Sequence, residues 1–111
     1  MRTFRSERVS SLLRERLGMM IEREVEISGA IITITTVQVS SDLSDATVNV
    51  SVFPTDRGPE ALKILEKRAG SFQYMLIRDM NIKPLPRITF ALDLGNDKAA
   101  RIEKRLMEEN N

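Results

Sequence analysis

Lys63, Lys67, Gly70, Tyr74 and Arg78 follow one another at spacings of four, three, four and four. On a helix that advances about 100° per residue they fall within roughly 80° of arc. Three cations, one aromatic ring and one residue without a side chain on a single stripe can track phosphates, stack a base and admit a nucleic-acid backbone closely. The same pattern also describes a solvated helix face. Opposite the stripe stand Leu62, Leu65, Ala69, Phe72, Leu76 and Met80, the apolar side of the same helix. Arg8 and Arg14 form a second basic group on an N-terminal helix, facing water or a partner.

Other chemistries are excluded by composition. The chain has no cysteine and no histidine, so thiolate and imidazole metal sites, disulfides and Ser/His/Asp or Cys/His nucleophilic arrangements are all ruled out. Asp42 and Asp45 lie in a Ser/Asp-rich turn, where such residues hydrogen-bond their own backbone. Asp93 and Asp97 could hold magnesium only through several waters, and Asp97 beside Gly95-Asn96 reads better as part of a helix start. Met19, Met20, Met75 and Met80 read as core fillers. Carboxylates are scattered and no base is in evident reach of a nucleophile, which sets aside a magnesium-dependent hydrolase. The sequence therefore predicts no catalytic residue, no metal and no cofactor: a protein that is not an enzyme.

The elements that must position these residues can be read from periodicity. Val9, Leu12, Leu13, Leu17, Met20 and Ile21 have helical spacing between about Phe4 and Glu24, with Ser6 as N-cap. Arg16 falls within this apolar arc, which predicts a buried stem and a solvated head. After Ser28-Gly29, Ile31 to Ser40 reads as a strand whose inward phase shifts from Ile32 and Ile34 to Val37 and Val39, predicting a bulge near Thr35-Thr36. A Ser40–Asp45 turn leads to Ala46, Val48, Val50 and Val52, the inward side of an antiparallel partner strand. Pro59 opens a long helix running to about Asn81, and Gly70 in its middle predicts a kink. Ile88, Phe90 and Leu92 make a third strand, parallel to the second because a helical crossover joins them. Asp93 to Glu109 reads as a short final helix, weakly ordered from about 108. The fold class expected is α+β: a single type II KH-like domain over residues 1–111, helix-strand-strand-kinked helix-strand, with helices on one face of a three-stranded mixed sheet.

With 111 residues, 41% of them hydrophobic, the chain can fill one modest core. Its 17 Lys and Arg nearly balance 16 acids, but the charge is segregated. Residues 25–56 carry four acids and no base, a charge of −4, while the rest holds 12 acids and all 17 bases, hence +5. A polyanion responds to such local fields. The acidic hairpin gives a second reading from another class, a protein–protein adaptor whose hairpin face meets a basic partner. No apolar run could span a bilayer and no signal-peptide core follows the N-terminus, so a cytoplasmic location is expected.

KH domains clamp single-stranded RNA with a Gly-x-x-Gly loop, and no two glycines here lie three apart. Lys67-Arg68-Ala69-Gly70 stands where that loop would fall. Together with Glu7-Arg8-Val9, the block Ile34-Thr35-Thr36-Val37-Gln38-Val39-Ser40-Ser41-Asp42-Leu43, the following Ala46-Thr47-Val48-Asn49-Val50-Ser51, and Pro86-Arg87-Ile88-Thr89-Phe90 with Asp93, the chain resembles the ribosome-binding factor A family. In that family an Ala-x-Gly interhelical kink replaces Gly-x-x-Gly. Two departures stand out: Arg68 occupies the position of the family's alanine, giving Arg68-Ala69-Gly70, and Ile27-Ser28-Gly29-Ala30 replaces an Asp-Pro-Arg. The resemblance implies a non-enzymatic RNA-binding factor for late maturation of the small ribosomal subunit. It further implies rRNA as ligand, an assembly GTPase as partner, cold adaptation as context, and a monomeric protein. Arg8, Arg14, Lys63, Lys67, Arg68, Gly70, Tyr74 and Arg78 would be the RNA-binding set.

Overall fold

The computed structural model describes residues 4–95. In chain order these form α1 (Phe4–Glu24), β1 (Ile31–Val39), β2 (Asp45–Phe53), a short 3-10 turn (Thr55–Arg57), α2 (Gly58–Asp79) and β3 (Arg87–Leu92). β1 and β2 pair antiparallel, β2 and β3 parallel, and β2 is central. This is the expected α+β arrangement with its mixed sheet. The register steps from Ile34↔Val50 to Thr36↔Asn49. Thr35 is thus the extra residue of the expected bulge, and it lets Ile34 and Val37 face the same side although three positions apart.

Both helices cover one face of the sheet, α1 over β1 and α2 over β3. Val9, Leu13, Leu17, Met20 and Ile21 of α1 meet Leu65, Phe72 and Leu76 of α2 over Ile34, Val37, Val48, Val50, Ile88 and Phe90. Phe72 is fully buried and meets Phe90 edge-on at a centroid distance of 6.2 Å. Burying each such side chain stabilises the fold by about 1.5–3 kcal/mol. Gln73 joins α2 to β3 through both ends of its amide: Nε2 donates to the Pro86 carbonyl at 2.8 Å and Oε1 accepts from the Ile88 N–H at 3.0 Å. At the other end of the sheet Arg57 donates to the Ser28 carbonyl at 3.0 Å and to Glu60 at 2.7 Å, tying the β1 approach loop to the start of α2.

Several expectations are corrected. Ser6 is buried inside α1 rather than capping it, because the helix is already formed at Phe4. Leu12 and Met19 are exposed, the latter by 52%, since the core takes only a narrow arc of α1 centred on Leu13, Leu17 and Met20. Arg16 sits just outside that arc and is exposed. Apart from these corrections, α2 is helical throughout Gly58–Asp79, with the expected kink position Arg68-Ala69-Gly70 inside it. The burial of Leu65, Phe72 and Leu76 on one continuous face outweighs the cost, about 1 kcal/mol, of a mid-helix glycine. Of the expected final helix, Asp93 and Leu94 are irregular and the residues from Asn96 onward, Asp97 included, lie outside the described residues. No helix among the described residues is long and apolar enough to cross a membrane.

Candidate nucleic-acid interface

α2 positions the stripe by the same periodicity that buries its other face. With Leu65, Phe72 and Leu76 turned to the sheet, Lys63, Lys67, Gly70, Tyr74 and Arg78 are all exposed on the outward side. Tyr74 is 67% exposed, so its ring presents an open stacking surface on the same helix side as the two lysines. No described carboxylate lies within 4.0 Å of Lys63 or Lys67. Arg78 is held by its neighbour Asp79 at 3.2 Å. A Cβ built on Gly70 would meet nothing within 4 Å, so no part of the described chain approaches this glycine. The stripe therefore leaves a smooth central position with cations on either side.

The other residues of the expected set are dispersed. Arg68 stands on the flank of α2 that faces α1 and pairs with Glu24 at 3.9 Å. Arg8 is exposed on the outward side of α1, beside a shallow depression shared with Phe4 and Leu12. Arg14 points the other way, its Nη2 donating to the Ile34 carbonyl of β1 at 3.4 Å. Ile77, 55% exposed and close to the stripe, was not among the expected residues. Its position three residues beyond Tyr74 was the available signal.

The opposite face of the sheet is chemically different. Thr33, Thr36, Gln38, Thr47, Asn49, Ser51 and Thr89 alternate with the buried residues, and Arg87 is the only cation among these described positions. Ile31 and Phe53 form an exposed cross-strand pair at one end. The Ser40–Asp45 turn is closed by its own side chains. The Asp42 carboxylate accepts from the Ser40 hydroxyl at 2.7 Å, the Ser44 hydroxyl at 2.7 Å and the Ser44 N–H at 3.1 Å. These bonds hold its pKa down at about 2. Leu43 takes a left-handed conformation, φ 63°, which drops its side chain into the core. Asp93, at the end of β3, is held below its ordinary value by the Thr35 hydroxyl of the bulge and by the Gly95 N–H. The Asp42 and Asp93 carboxylates are thus engaged by their own chain.

Comparison with known proteins places this arrangement. The profile of the ribosome-binding factor A family matches residues 5–106. The chain belongs to that family. Ribosome-binding factor A of Pelodictyon phaeoclathratiforme is 34% identical over 107 residues, covering 94% of this chain and 90% of its own. That of Akkermansia muciniphila is 35% identical over 89 residues, covering 80% and 71%. The crystal structure of ribosome-binding factor A from Thermus thermophilus shares the fold, with a TM-score of 0.65 at 24% identity over 78% of this chain and 94% of that one. A homology model of the Thermus thermophilus factor, fitted into a cryo-electron microscopy map of its complex with 30S, matches with a TM-score of 0.64 at 26% identity, covering 74% and 88%.

Proposed function

We propose that this protein binds the maturing small ribosomal subunit late in assembly, through rRNA phosphates gripped by the outward stripe of α2, and acts by binding rather than by chemistry. The observation that carries this reading is the stripe itself: Lys63 and Lys67 stand free of described carboxylates beside an exposed Tyr74 and an unobstructed Gly70. Membership of the ribosome-binding factor A family supports the target, as does the 30S complex of the Thermus thermophilus relative. Arg8 adds a contact from α1, while Arg14 and Arg68, turned toward β1 and Glu24, contribute less.

On this reading the factor is a cytoplasmic monomer that holds one rRNA conformation until maturation removes its advantage. A ligand shifts a conformational equilibrium only through differential affinity, so an assembly GTPase would release the factor by favouring the mature state. Co-sedimentation with free small subunits, measured between about 50 and 200 mM salt, tests the reading. A steep loss of binding with salt is expected. Binding that is insensitive to salt, or confined to a protein partner, would replace it with the adaptor reading.

A further inference from the structure

Among the described residues β1 is a terminal strand of the sheet, and none of them pairs with the side facing away from β2. The Val50 carbonyl accepts from the Asp93 N–H at 2.7 Å on the β3 side of β2. The Val50–Ile34 pair is therefore a non-hydrogen-bonded one, and the main-chain groups of Ile34 point outward. Alternation turns those of Ile32 the same way. Along this edge, between β1 and the second half of α1, runs a groove of about 590 Å³. Ile21, Val25 and Ile32 give it an apolar lining, Gly18 leaves room on the helix side, and Glu15 and Glu22 stand on its rim. Arg14 closes one end, but its bond to the Ile34 carbonyl is long, 3.4 Å.

We infer that this groove docks an extended peptide segment of a partner protein, one that alternates basic and apolar residues, as an added antiparallel or parallel strand on β1. The outward N–H and C=O groups of Ile32 and the outward N–H of Ile34 supply the main-chain ladder, the Ile34 carbonyl joins it when the long Arg14 bond gives way, and the lining takes alternate apolar side chains. Charge selects the rest. Glu15 and Glu22 stand at the rim, and Arg14 is the only cation among the described residues lining the groove. The space over Ile31–Ile34 matches three to four residues of strand at about 3.3 Å each. The surface is separate from the α2 stripe, so its occupation and rRNA binding can be broken independently.

The test uses the full chain, isotope-labelled, titrated with the synthetic peptide Lys-Val-Lys-Val-Lys-Val and with its Glu-for-Lys counterpart. The basic peptide should shift the Ile32 and Ile34 amide signals and slow their hydrogen exchange at least severalfold, and the acidic one should do neither. Gly18→Leu, whose side chain meets no neighbour at its Cβ, should fill the groove and abolish the shifts while leaving the thermal midpoint and small-subunit co-sedimentation intact. Shifts that fall elsewhere, that persist in Gly18→Leu, or that appear equally with the acidic peptide would overturn the inference. So would a concentration-dependent dimer with Ile32 and Ile34 already protected, which would assign the edge to a second copy.

Discussion

The stripe on α2 and the turn at Ser40–Asp45 are both exposed and both charged, yet their charges are committed differently. Lys63 and Lys67 are held by a rigid helix away from every described carboxylate. Asp42 accepts three hydrogen bonds from residues within two positions of it. A carboxylate satisfied in this way shapes the turn that carries Leu43 into the core and has little left to offer a partner. A lysine without a local partner has no ion pair to give up when it meets a phosphate. The difference supports the proposal that the helix, and not the acidic hairpin conspicuous in the sequence, is the surface for recognition.

Charge reversal separates the two regions most visibly. Lys63→Glu with Lys67→Glu should weaken small-subunit binding by more than about tenfold and flatten its salt slope by about two units, with stability changed by less than ~1 kcal/mol. Unchanged affinity and slope in a folded double variant would remove α2 from the interface. Asp45→Lys, on the hairpin, should leave binding intact or raise it slightly. The same co-sedimentation assay reads both.

Gly70→Ala separates stability from binding. The position is exposed, helical and unobstructed, so alanine should stabilise the helix by up to about 1 kcal/mol. If a nucleic-acid backbone passes over Gly70, Gly70→Val should weaken binding more than it perturbs thermal unfolding. Loss of both in parallel would make the glycine purely structural.

The smallest expected effect concerns the turn. The pKa of Asp42 in the folded chain, about 2, lies below the ordinary 3.8. Its contribution to stability is therefore complete above about 3.8 and is lost as pH falls toward 2. Acid-dependent thermal unfolding of Asp42→Asn should lack that component while matching the parent in its rRNA affinity. A parent and variant with parallel profiles over this window would show that the turn bonds do not persist in solution.

Local sequence determined the two helices, the hairpin, the bulge at Thr35, the parallel third strand and the division of α2 into a buried and a basic face. Most of these follow from the repeat of one element, 3.6 residues for a helix and two for a strand, while the hairpin also needed the Ser/Asp turn and the parallel third strand the crossover rule. Where two elements meet, the sequence was silent. Arg14 and Arg68 look alike on helical wheels, yet one reaches the edge of β1 and the other Glu24, because the placement of α1 over β1 and of α2 over β3 decides which flank of each helix meets a neighbour. Gly70 has the local signature of a helix break, yet α2 is helical from Gly58 to Asp79, with Leu65 and Phe72 buried on either side of the glycine. Leu43 sits among turn residues and is buried only because its left-handed backbone turns it inward. The groove beside β1 has no signature in either element, since it is the space left between them when both pack against the same core.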